Sequence, residues 1–151
     1  GTRDDRLALG TRFGADVTIN VRTQPPHHRL EQVLEAAGGR GADCVVDTAG
    51  TPQTLAESLS WLRPGGRYVN AGVAVPSANV PLDVYDLARR NLTIKGAWVS
   101  NTRHFIAAVS LVQSRRFPFG ELATHRLPLA NAHQALTMGK QLGALKVVLL
   151  P

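Results

Sequence analysis

Hydrophobic and polar positions along the chain follow two rhythms, and they change over at short turns of small residues. Leu55, Leu59 and Leu62 recur at i, i+4 and i+7 behind Thr51-Pro52. That spacing predicts an amphipathic helix with a threonine N-cap and a proline at its first position, where the missing N–H costs nothing. Just upstream, the apolar run Cys44-Val45-Val46 stops at Asp47-Thr48-Ala49-Gly50, which predicts a buried strand and a tight turn. Strand, turn and helix make half of a βαβ unit. Ligands of doubly wound sheets sit beyond the carboxyl ends of the strands, so the turn 48–50 is the first candidate for ligand contact.

The rest of the chain repeats the alternation. A turn at 1–5 leads into a helix over 6–13, with Leu7 and Ala8 inward and Gly14 at its end. Residues 16–21 alternate polar and apolar and predict a short strand. Pro25-Pro26 breaks the chain, and 30–37 predicts a helix with Leu30, Val33, Leu34 and Ala37 on one face, stopped by Gly38-Gly39. After the opening helix, Arg63-Pro64-Gly65-Gly66 reads as a tight turn, 67–71 as a strand ending at Gly72, and 73–81 as a loop. A short helix over 82–88 and a strand over 92–96, running into Ala97-Trp98, follow. Thr102 opens a helix whose core face is Phe105, Ile106, Val109 and Val112. A connector over 117–127 carries a short strand near its end. Asn131, with Gln134 three residues on, predicts a capping box, and 145–150 a buried strand. The repeated alternation argues for an α/β fold, a doubly wound, mostly parallel sheet with helices on both faces.

Composition narrows the possibilities. With 151 residues, 44% of them hydrophobic, the chain has material for one core. One cysteine excludes an internal disulfide and fits a reducing, cytoplasmic setting. No apolar run approaches the roughly 20 residues that span a bilayer. The net charge is +6 and the sequence pI about 10.4, yet the arginines are scattered and no aromatic ladder interleaves them. This argues against nucleic acid, and a basic surface around an anionic ligand would look the same.

The order and spacing of several motifs resemble the cofactor-binding half of the medium-chain, zinc-type alcohol dehydrogenases. They are Leu7-Ala8 with Gly14-Ala15-Asp16; Gly39-Arg40-Gly41-Ala42-Asp43 with Asp47 and Gly50; Leu62-Arg63-Pro64-Gly65-Gly66; Thr93-Ile94-Lys95-Gly96; and Lys146-Val147-Val148-Leu149-Leu150. The resemblance covers essentially the whole chain and implies a Rossmann-type sheet truncated at its N-terminus. Residues 1–151 are then a partial dinucleotide-binding domain, without the first strand, the G-x-G-x-x-G loop or the catalytic zinc domain. Zinc is expected only in that missing domain, and no catalytic or metal-binding residue is assigned here.

By position, the resemblance implies that Thr48, Ala49 and Gly50 lie beside the adenosine and nicotinamide ribose. Ala71, Gly72 and Val73 meet the nicotinamide carboxamide, and Ala97, Trp98 and Val99 close over the ring. Lys146 stands near the pyrophosphate. Small residues let backbone approach a flat ring, and a cation offsets phosphate charge. Gly1, Thr2 and Arg3 fall at the end of the second strand. Without an acid there, room is left for a 2′-phosphate that Arg3 neutralises, which favours NADP over NAD. The implied activity is hydride transfer between a small alcohol and a carbonyl in a homo-oligomeric enzyme, with this chain alone inactive. A zinc-free quinone or enoyl reductase and a non-catalytic nucleotide-binding remnant are the alternatives.

Other residue types read more plainly as structure. Cys44 is expected in the core, His27 and His28 on an exposed loop, and Asp47 as a carboxylate that fixes local backbone or an arginine rather than an acid. Gly38-Gly39…Gly41 precedes a strand, not a helix, so it lacks the helix N-terminal amides that cradle phosphate.

Overall fold

The computed structural model describes residues 1–72, 79–140 and 143–151. They form α1 (Asp4–Arg12), α2 (Pro26–Ala36), β1 (Ala42–Asp47), α3 (Pro52–Trp61), β2 (Leu62–Asn70), α4 (Val84–Arg89) and β3 (Thr93–Gly96). Then come α5 (Thr102–Gln113), a 3₁₀ turn (Phe119–Leu122), β4 (Ala123–Pro128), a second 3₁₀ turn (Leu129–Asn131), α6 (Ala132–Met138) and β5 (Lys146–Leu150). Every strand pair is parallel, in a three-stranded sheet ordered β1-β2-β3 and a two-stranded sheet β4-β5. The α/β class and parallel pairing are as the alternation predicts. The chain divides into two compact units, Ile19–Val99, and Gly1–Thr18 with Ser100–Pro151, each holding one sheet.

In the unit 19–99, α3 starts as its sequence dictates. The Thr51 hydroxyl accepts from the Thr54 amide while the Thr54 hydroxyl accepts from the Thr51 amide, and Pro52 sits in the first turn. Leu55 and Leu59 are half-buried, but Leu62 opens β2 and is buried there. Arg63-Pro64-Gly65-Gly66 is not a turn between elements. It is an irregularity inside β2: Ala42 pairs with Leu62 but Cys44 with Arg67, so extra β2 residues bulge out between them. The Gly65 amide in that bulge donates to the Arg90 carbonyl at 2.7 Å.

Two arginines, Arg29 buried and Arg90 half-buried, brace this unit. Arg29 of α2 forks onto Glu57 of α3 at 2.6 and 2.8 Å and donates to the carbonyls of Val21 and Gln24. Arg90 donates to Asp86 and to the carbonyls of Leu59 and Leu62. Pro26 sits in the first turn of α2, so His27 and His28 are exposed on a helix rather than on a loop. The prolines start that helix because its first amides need no partner.

Four apolar segments differ from expectation. Cys44 is exposed, as is Val46 on the same face of β1. Only the opposite face, carrying Val45 and Asp47, is covered by α3, because strand side chains alternate. Residues 16–21 form no ladder among the described residues. Alternation makes a strand only where a partner edge is free, and here Asn20 begins a turn, its carbonyl accepting from the Thr23 and Gln24 amides. The helix α5 is exposed along its whole length, Phe105 at 67% and Ile106 at 60%, so its apolar stripe is not core. Its cap is Asn101, whose side chain accepts from the His104 amide, rather than Thr102. The strand β5 is half-buried at Val147 and Val148 and exposed at Leu149 and Leu150, since it pairs on one side only. Asn131 bonds the Gln134 side chain instead of completing a capping box.

Candidate functional site

The three parallel strands of the unit 19–99 end in register, Asp47 beside Asn70 and Asn70 beside Gly96. Beyond that line the backbone is stitched across. The Asp47 carbonyl accepts from the Ala71 and Gly72 amides, and the Asn70 carbonyl accepts from Ala97, all at 2.8 Å. Ala49, Gly50, Ala71, Gly72 and Ala97 therefore lie together as one shelf at the carboxyl ends of the strands, where α/β sheets bind ligands. Val73 lies outside the described residues.

The shelf is tight because it is made of glycine. A Cβ on Gly50 would stand 2.6 Å from the Gly72 backbone, and one on Gly72 would stand 2.3 Å from the Gly50 nitrogen. Gly50 also has φ of +65°, which favours glycine further. Trp98 and Val99 follow Ala97 and are strongly exposed, at 76% and 84%. Val99 holds φ of 52°, a strained conformation for a β-branched residue.

Beneath the shelf sits Asp47, 6% exposed. One carboxylate oxygen accepts from the amides of Ala49 and Gly50 at 2.8 and 3.0 Å; the other accepts from the hydroxyls of Thr54 and Tyr68, each at 2.7 Å. Burial pushes this carboxyl up, but the bonds from Gly50, Tyr68, Thr54 and Ala49 outweigh it, and its pKa lies below the ordinary value. Burial first, and then the bond to Asp47, lift the fully buried Tyr68 phenol well above its usual range. Asp47 is the backbone-fixing carboxylate that its position at the strand end suggested. A cavity of about 120 Å³ opens here, lined by Gly50, Thr51 and Leu55 on one side and Tyr68 and Asn70 on the other. Asn70 Oδ1 is buried there with no hydrogen-bond partner among the described residues. Sequence reading passed over Asn70 because an asparagine at a strand end carries no signal of its own.

The remaining candidates belong to the other unit. Gly1 and Thr2 are exposed and form no strand. Arg3 is not a free cation: its Nε donates to Asp5 at 3.0 Å, and a second nitrogen makes a close ion pair with the same carboxylate, which holds the Asp5 pKa below its ordinary value. Lys146 opens β5 and carries no ion pair among the described residues. It shares the wall of a cavity of about 480 Å³ with Arg6, Leu9, Phe13 and Leu122. Arg6, which sequence reading missed, is thereby placed as a second cation beside Lys146. The link spans 140 positions of sequence, so no spacing announces it.

Comparison with known proteins agrees with this architecture. A family described as zinc-binding dehydrogenase matches residues 1–114. The chain is 31% identical over 146 residues to 5-exo-hydroxycamphor dehydrogenase of Pseudomonas putida, covering 95% of this chain and 40% of that protein. It is 30% identical over 150 residues to erythritol/L-threitol dehydrogenase of Mycolicibacterium smegmatis, covering 97% and 40%. An alcohol dehydrogenase from Thermotoga maritima superposes with a TM-score of 0.92 at 41% identity, over 99% of this chain and 41% of that one. The chain spans about 40% of the length of the curated relatives it matches.

Proposed function

Because the chain belongs to the zinc-binding dehydrogenase family, we propose that it is the nicotinamide-dinucleotide-binding part of an alcohol dehydrogenase-like oxidoreductase. The single observation that supports this reading most is the shelf of small residues at three parallel strand ends, pulled together by the Asp47 and Asn70 carbonyls. The residues present fit the cofactor. Backbone without side-chain bulk suits a flat ring, and the Asn70 acceptor, unpartnered among the described residues, suits a carboxamide or hydroxyl donor. When bound, a nicotinamide supplies the hydride that interconverts an alcohol and a carbonyl.

Within that function Thr48, Ala49, Gly50, Ala71 and Gly72 seat the ring and its ribose, Ala97, Trp98 and Val99 cover them, and Lys146 offsets phosphate charge. NADP is the first choice and NAD the second: Gly1 and Thr2 leave room for a 2′-phosphate, which has to displace Asp5 to reach Arg3. The donor set does not fit zinc, since among the described residues no three His, Cys, Asp or Glu side chains converge to hold a metal ion. As the resemblance implies, polarisation of the substrate by zinc and the choice of alcohol are assigned to a further domain, and the whole enzyme to a homo-oligomer. Among the described residues no helix is long and apolar enough to cross a membrane.

The test is titration with NADPH and NADH while following tryptophan emission. Saturable quenching, lost in Trp98→Phe if the ring lies under Trp98, is expected. Flat titrations with both dinucleotides, matched by absent heat in calorimetry, would reject the proposal.

A further inference from the structure

We infer that Asp47 is a positioning residue, holding the 48–50 turn in its ligand-ready shape through the amides of Ala49 and Gly50; the inference rests on the cofactor reading of the shelf. Asp47 contributes at two levels. Its backbone carbonyl binds the Ala71 and Gly72 amides, and its carboxylate binds the Ala49 and Gly50 amides, so one residue fixes both loops that meet at the Gly50–Gly72 contact. Thr54 and Tyr68 hold the carboxylate from the opposite side. Among the described residues no Lys, Arg or His forms an ion pair with it, and its charge is met by amides and hydroxyls.

This geometry also defines what the turn can recognise. The Ala49 and Gly50 amides point down to the carboxylate and are spent, and a buried negative charge lies directly beneath them. The turn therefore repels phosphate and accepts an uncharged part of the ligand, a sugar or a flat ring. That is the reverse of a glycine-rich phosphate cradle, whose amides point out toward the anion.

The test compares three variants of the 151-residue chain for NADPH and NADH affinity and for melting temperature. Asp47→Ala takes the carboxylate partner from the buried Gly50 amide and the part-buried Ala49 amide, and affinity is expected to fall about tenfold or more. Asp47→Asn keeps an oxygen where the amides need one and is expected to return affinity to within about threefold of wild type. Glu57→Gln loosens the Arg29 pair away from the shelf; it is expected to lower the melting temperature with affinity unchanged within about twofold. Affinity that simply tracks melting temperature across the three variants, or Asp47→Ala binding like wild type, would overturn the positioning role. Should Asp47→Ala not fold, amide hydrogen exchange on ligand-free wild type decides. Protected Ala49 and Gly50 amides support the role, and amides that exchange freely until dinucleotide is added refute it. If wild type itself binds neither dinucleotide, the cofactor reading fails and this inference with it; if wild type binds and the exchange or variant results go the other way, the inference alone fails.

Discussion

The two units solve the same packing problem differently. In the unit 19–99, buried and half-buried polar groups close the structure. Arg29 meets Glu57, Arg90 meets the carbonyls at the end of α3 and start of β2, and Asp47 gathers two amides and two hydroxyls. In the unit 1–18 with 100–151, the buried side chains among the described residues are the small Ala135 and Ala144, while Phe105, Ile106, Val112 and Leu136 stand in solvent. An aromatic cluster of Phe13, Phe117 and Phe119 and the exposed Arg12–Glu121 pair add to the β4–β5 pairing and the packing of α6 on β5. Apolar patterning alone therefore does not make a core. A stripe becomes core only where another element covers it, and in the first unit directional bonds determine which elements those are.

The sharpest way to break this comparison is Arg29→Ala. It strands Glu57 and releases two carbonyls, and a loss of about 3 kcal/mol in urea unfolding, followed by Trp61 emission, is expected. A loss below about 1 kcal/mol would show that the polar pin is replaceable.

Tyr68→Phe comes next, with an expected loss of about 2 kcal/mol at neutral pH from a buried bond to a carboxylate. Its pH dependence has a definite sign. The folded-state pKa of Tyr68 is raised above the unfolded value near 10, so its contribution is whole below about pH 10 and is lost as pH rises through the folded value. Asp47 runs the other way. Its folded pKa is lowered, so its contribution is present above the unfolded value of about 3.9 and is lost as pH falls through the folded one. Melting temperatures between pH 3 and 11 should show wild type declining more steeply than Tyr68→Phe on the alkaline side, and equal alkaline slopes would show that Tyr68 is not protected.

The smallest effect is expected in the other unit. Phe105→Ala in α5 should alter stability by no more than about 0.5 kcal/mol, because the ring is already in water. A loss of about 2 kcal/mol in the same unfolding assay would mean that this face is covered in solution.

Local rules carried far because they are enforced within a few residues. Thr51-Pro52 caps α3 in sequence and in space, Gly14 and Gly38 end their helices with positive φ, and the parallel α/β pattern follows from strands separated by helices. The small-residue turn at 48–50 was visible as a candidate site for the same reason: Asp47, Ala49 and Gly50 are neighbours in the chain. Burial was not legible. Cys44-Val45-Val46 and the α5 stripe have core-like patterns, but a pattern states which face is apolar and not whether anything packs on it.

What the sequence determined by itself is most of the elements, their parallel pairing and the family. Each depends on backbone preferences and short-range spacing. Only the tertiary structure decided that Gly50 abuts Gly72, that Tyr68 supports Asp47 from 21 positions away, that Arg3 is engaged by Asp5, and that Arg6 joins Lys146 at one cavity wall. These are meetings of distant or flexible side chains, fixed by how strands stack and which polar groups must find partners once water is excluded, and one-dimensional spacing carries no record of them.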